Sequence, residues 1–175
     1  LSFGDSVRAQ VQRRLDAREA AIERGVVAIG LPPRLPERGL LVAAEVETLD
    51  VDFWRRVFGE GARAAVPINQ VALHADKFLL LGRSLSNFNV PATHDRDTWR
   101  AHVHGDLLAG QVEWSGEGAG HLSGRLTHVV IPEGTTPATA GDGEEPRELP
   151  AINLVIDRFN LRGKDFGEIK LQAEN

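Results

Sequence analysis

Six histidines, a pair of repeated aspartates and three tryptophans are the side chains in this sequence with chemistry to offer. His102 and His104 lie two apart, so a strand would hold both imidazoles on one face. A third ligand from His94, His121 or His128 would complete a zinc or iron site. Two spaced imidazoles alone fall short of one, and they read instead as a polar strand face backing Ala101 and Val103. Asp142-Gly143-Glu144-Glu145 lacks the alternating ligand spacing of a calcium loop and reads as a solvated stretch. Ser115-Gly116 and Gly82-Arg83-Ser84 are not nucleophile elbows, and the chain holds no G-x-S-x-G and no phosphate-binding glycine loop. Asp76 and Asp157 occupy equivalent places in two similar segments, which argues for a structural role rather than an acid/base pair. Trp54, Trp99 and Trp114 could form a sugar-stacking platform, but they fall on the apolar phase of their elements and read as packing residues. The expectation is therefore no catalytic residue, no metal site and no cofactor.

Composition narrows the classes further. Hydrophobic residues make up 42% of the 175, enough for a core, and charged residues make up 26%. The net charge of −5, with Arg scattered singly and no basic block, excludes an ordinary nucleic-acid binder. Cysteine is absent, so disulfides and thiolate chemistry are excluded together. No apolar run reaches the roughly 18–20 residues that span a bilayer, and no signal peptide is visible. The chain opens Leu1-Ser2-Phe3 without methionine, and the simplest expectation is an internal fragment of a larger protein.

The elements that must carry these residues are mostly strands. Val7, Ala9 and Val11 alternate with Arg8, Gln10 and Gln12. Arg13 to Glu23 suits a helix as well as a strand, and the run Val26 to Ile29 behind it tilts the choice to strand. Leu31-Pro32-Pro33-Arg34-Leu35-Pro36 cannot feed a ladder and reads as an extended loop before a strand at Gly39–Thr48. Asp50 is a helix N-cap, and Phe53, Trp54, Val57 and Phe58 give one short helix at 51–58, ended by Gly59. From Ile68 onward, strands follow one another across short polar turns, which reads as an antiparallel meander. Residues 132–150, rich in Gly, Pro, Thr and Glu, read as a flexible loop before a last hairpin. The fold expected is all-β: an elongated, twisted antiparallel meander sheet with repeated hairpins and that one helix. Its parts are N-terminal strands plus helix in 1–67 and a repeated hairpin segment in 68–175, joined as one continuous sheet.

The sequence matches itself at an offset of 81 residues. Val71 to Gly82 aligns with Ile152 to Gly163, and Leu85, Phe88, Val90 and Ala92 align with Phe166, Ile169, Leu171 and Ala173. Six positions are identical, among them Asp76/Asp157, Phe78/Phe159 and Gly82/Gly163. In each unit alternate residues face one way until an Asp-Lys or Asp-Arg pair, after which Phe and Leu take over. A slip of one residue is what a β-bulge produces, and it keeps the apolar groups on one side. That face collects Leu73, Ala75, Phe78, Leu80, Phe88 and Val90 from the first unit, and Leu154, Ile156, Phe159, Leu161, Ile169 and Leu171 from the second. Repeated hairpins suggest a sheet that grows by addition of units.

Arg24-Gly25-Val26-Val27-Ala28-Ile29-Gly30, Leu35-Pro36-Glu37-Arg38-Gly39-Leu40 and Leu49-Asp50-Val51-Asp52-Phe53-Trp54 resemble the YhdP family of AsmA-like proteins. The repeat unit, the strand through Leu107, Ala109, Gly110, Val112 and Trp114, and Leu126 to Pro132 fit the same pattern. The resemblance implies a section of a very large envelope protein of Gram-negative bacteria, held in the inner membrane by a helix elsewhere and extending through the periplasm. It implies phospholipid as the partner, other envelope proteins as further partners, and an open apolar β-groove similar to those of bridge-like lipid-transfer proteins. The twelve face residues then become lipid-facing candidates, in a segment that does not itself span the membrane. The family offers no catalytic residues to carry over. A structural or protein-interaction module and a glycan-binding β-domain are the rival readings.

Overall fold

The computed structural model describes residues 2–3, 7–13, 22–50, 68–80, 83–116, 120–132 and 150–174. Within them the chain forms one eleven-stranded sheet whose spatial order follows the sequence without a break. The strands are β1 (Ser2–Phe3), β2 (Val7–Arg13), β3 (Ile22–Ile29), β4 (Gly39–Asp50), β5 (Ile68–Leu80) and β6 (Arg83–Asp95). They continue with β7 (Thr98–His104), β8 (Leu108–Ser115), β9 (His121–Ile131), β10 (Ala151–Leu161) and β11 (Lys164–Ala173). The all-β expectation holds. The strand reading of the ambiguous stretch holds at Arg13, which ends β2, and at Ile22–Glu23, which open β3. The helix expected at 51–58 lies outside the described residues, as does nearly all of the 132–150 loop.

The sheet is mixed rather than antiparallel throughout. β3 with β4, β4 with β5, and β9 with β10 run parallel, and every other neighbouring pair is antiparallel. A parallel pair needs the chain to return along the full strand before pairing again, and that is why long connections fall at these three joins. The first of them is the Pro-rich stretch after Gly30, which the sequence reads as a loop; it brings Gly39 back opposite Arg24. The uninterrupted apolar runs of β3 and β4 have the same origin. Val26 and Ala28 are fully buried and Ala43 nearly so, although they stand on the face opposite Val27 and Val42. At this join both faces of β3 and β4 carry apolar side chains, so the two strands read as continuous apolar runs, not as alternation.

The internal repeat is real in three dimensions. Val71, Leu73 and Ala75 pair with Ala92, Val90 and Phe88, and Ile152, Leu154 and Ile156 pair with Ala173, Leu171 and Ile169. Each pair maps onto its counterpart at the same offset. The unit is larger than the hairpin, because β4 pairs with β5 as β9 pairs with β10. Val42, Ala44, Val46 and Leu49 meet Val71, Leu73, Ala75 and Phe78 as Leu122, Gly124, Leu126 and Val129 meet Ile152, Leu154, Ile156 and Phe159. The repeating element is therefore three strands: one strand, a long crossover to a parallel neighbour, and an antiparallel return. The second hairpin turns on Arg162 and Gly163, with φ of 52° and 77°, between the pair Leu161 and Lys164. Two consecutive positive φ values are what a tight two-residue hairpin requires, and glycine takes one of them without strain.

Candidate functional site

Following the pairing from strand to strand shows which side chains share a face. One row runs Ala9, Val27, Val42, Val71, Ala92, Ala101, Val112, Gly124, Leu154 and Leu171. It crosses the sheet from β2 to β11 and meets no polar side chain. The row displaced by one residue, on the other face, runs Gln10, Val26, Leu41, Gln70, Thr93, Arg100, Glu113, Ser123, Asn153 and Gln172. Directly paired residues in a sheet point to the same side, so these two rows mark an apolar face and a largely polar one. Cross-strand polar contacts belong to the second: Arg100 Nε donates to Glu113 Oε1 at 3.0 Å, and Arg24 Nε donates to Gln12 Oε1 at 2.8 Å.

A transverse crease crosses both faces. The β5–β6 ladder steps from Ala75↔Phe88 to Lys77↔Ser86, and Asn87 takes a φ of 50°. The register shifts between Ala109 and Gly110 in the β8–β9 ladder and again after Ile156 in the β10–β11 ladder. The β9–β10 ladder passes from Leu126↔Ile156 to Val129↔Phe159. The expected slip at Asp157-Arg158 falls on this line as a register shift, whereas at Asp76-Lys77 the β5–β6 ladder keeps one register on both sides of the unpaired Asp76 and Asn87. The effect of the crease is the one a bulge has. Ala75 and Phe78 are three apart yet share one buried cluster with Phe88, where strict alternation would put them on opposite faces. Phe78 and Phe88 stack with centroids 4.1 Å apart, joining the two sides of the crease. The repeated acids sit at this line in polar surroundings. Asp76 lies 3.7 Å from His74. The buried Oδ1 of Asp157 lies 2.8 Å from Arg125 Nη2. Hydrogen bonding to Asp157, then its charge, holds the Arg125 guanidinium pKa above the ordinary arginine value.

The structure sorts the twelve face residues by depth. Ala75, Phe78, Phe88 and Ile156 are buried and belong to the packing at the crease. Leu73, Val90, Leu154, Phe159, Leu161 and Ile169 are half-buried, and Leu171 is exposed. Leu80 pairs with Arg83 where the first hairpin closes. The apolar face is also wider than the repeat alone indicates, since Val112 and Leu122 extend it over β8 and β9. Val112 carries no self-match, and the alternation in Leu108 to Trp114 is the signal that would have found it; Leu122 is the counterpart of Val42 in the three-stranded unit.

The histidines divide between faces. His102 pairs with Gln111 and His104 with Ala109, on the polar side. His94 stands on the apolar side, stacked on Trp99. Among the described residues no group of three His, Cys, Asp or Glu is spaced to hold a metal ion. Incubation with EDTA is accordingly expected to leave the melting temperature unchanged; a drop of several degrees would restore a metal to the argument.

Among the described residues no helix is long and apolar enough to cross a membrane. No curated protein and no solved structure matches this chain. The family model described as YhdP protein matches residues 1–175, the whole chain. An all-β sheet built from a repeated unit, together with that match, places the chain: it belongs to the YhdP family.

Proposed function

We propose that this chain is a non-enzymatic section of an envelope protein that carries phospholipid between the inner and outer membranes, on the periplasmic side of the inner membrane. The apolar face holds the acyl chains. The observation that carries this reading is the row from Ala9 to Leu171, apolar at every position on ten successive strands. An acyl chain moving across strands needs that continuity, and the row supplies it from β2 to β11. Each methylene removed from water contributes about 0.8 kcal/mol without regard to head group. The opposite polar row keeps the other side compatible with water.

Photo-crosslinking in cells tests it. A crosslinker at half-buried Leu154 or exposed Leu171 is expected to capture phospholipid, and one at Asn153 or Gln172 is not. Neighbours on a strand point to opposite sides, so the contrast within each pair is sharp. Equal capture at both members of each pair, or none at either, would replace this reading with a structural module whose face meets protein.

A further inference from the structure

The apolar face ends, beyond the Ala92–Ala101–Val112 pairs, in a line of three aromatic rings. His94 on β6 pairs with Trp99 on β7, which pairs with Trp114 on β8. The His94 and Trp99 rings stack at 4.8 Å with 23° between their planes. Trp114 rests over Gly120, where a Cβ would come within 2.5 Å of the indole Cη2. That glycine leaves the room the ring occupies. Asp97 comes from the β6–β7 turn, and its carbonyl accepts a hydrogen bond from the Gly116 N–H at 3.3 Å, which ties the turn to the end of β8.

His94, Asp97, Trp99, Trp114 and Gly116 line a pocket of about 260 Å³. Sites for drug-sized ligands begin at about 300 Å³, so this one suits a group the size of a lipid head and not a whole lipid. Its chemistry is one-sided. Trp99 and Trp114 bring two indole rings, Asp97 brings a carboxylate, and among the described residues no lysine or arginine lines the pocket. Indole faces and a carboxylate both attract a cation, and an anion would meet the wrong sign. Tryptophans are also suited to a boundary where one side is apolar and the other wet. We propose that this pocket binds an ammonium group, the head of a zwitterionic phospholipid whose chains lie along the adjoining apolar rows. The lipid half of this statement rests on the proposed function, and the ammonium half stands without it.

The test follows the Trp99 and Trp114 indole N–H resonances of the whole chain during titration. Dihexanoylphosphatidylethanolamine is expected to shift both, and Asp97→Asn is expected to weaken that binding about tenfold. Dihexanoylphosphatidylglycerol has the same chains and phosphate but no ammonium. It is expected to bind the wild type about tenfold more weakly and to be indifferent to Asp97→Asn. Phosphoethanolamine, the head group without chains, is expected to shift the same resonances with the same dependence on Asp97, at much higher concentration. Equal affinity for the two lipids, or shifts that survive Asp97→Asn, would overturn the ammonium site. Phosphoethanolamine binding as tightly as the lipid would overturn the lipid source and leave a site for a free amine. Comparable shifts with N-acetylglucosamine would overturn the proposal in favour of a sugar platform.

Discussion

Phe88→Ala is expected to destabilise the chain by about 3 kcal/mol and to lower its melting temperature by about 6–12 °C. The side chain is 7% exposed and stacks on Phe78 at 4.1 Å, so truncation opens a cavity that a single sheet has few neighbours to fill. Ala75 completes the cluster, and it pairs with Phe88 directly across the ladder. Gly105 fits beside it because a Cβ there would come within 3.2 Å of the Phe88 ring. Phe88→Leu, which keeps most of the volume, is expected to recover more than half of the loss. Thermal melting monitored at a strand wavelength checks both variants. A loss below about 1 kcal/mol for the alanine variant would mean that the crease is not held by this stack.

The largest functional effect is expected from a charge in the long apolar row. Leu154→Glu places a carboxylate between Gly124 and Leu171, at a half-buried position where the wild-type face is apolar on every neighbouring strand. An ion facing acyl chains carries a heavy desolvation penalty, so phospholipid transfer in cells should fall by more than tenfold. Asn153→Glu adds the same charge one residue away, on the polar row between Ser123 and Gln172, and should leave transfer within about twofold of wild type. Melting of both variants separates lost function from lost fold. Transfer that survives Leu154→Glu in a folded protein would rule out the apolar face as the lipid path.

What the sequence shows and what it hides follow from the physics of each strand. The faces of β5, β6, β10 and β11 are legible because the same hairpin is written twice, and two independent copies agree on where alternation slips. The sheet class is legible for the same reason, from close-set strands joined by polar turns. The parallel joins are not, because a long connection and a short one leave the same alternation in the strands they link. The uninterrupted runs Val26 to Ile29 and Leu40 to Ala44 are the one trace of them, since apolar residues on both faces erase the period of two. The candidate pocket is hidden more deeply. His94, Trp99 and Trp114 are separated in sequence, and their line depends on a pairing register that only the turns between β6, β7 and β8 determine. Reading the tryptophans as packing residues captures their face and misses that they close its end.

The alternation of short turns and long crossovers also orders the events by which the sheet is made. From β5 to β9 every ladder is antiparallel and its partners are close in sequence, so loop closure there is cheap in entropy and fast. The joins of β4 to β5 and of β9 to β10 bring together segments separated by far more chain, and they reward the closure only once both strands are in place. The central block is therefore expected to nucleate, with the flanking strands adding to a template already formed. Each of these two crossovers lies inside a three-stranded unit, so the boundary of the kinetic unit cuts across the structural one. Growth along the sheet then proceeds as a series of small, nearly independent assembly steps rather than one global collapse.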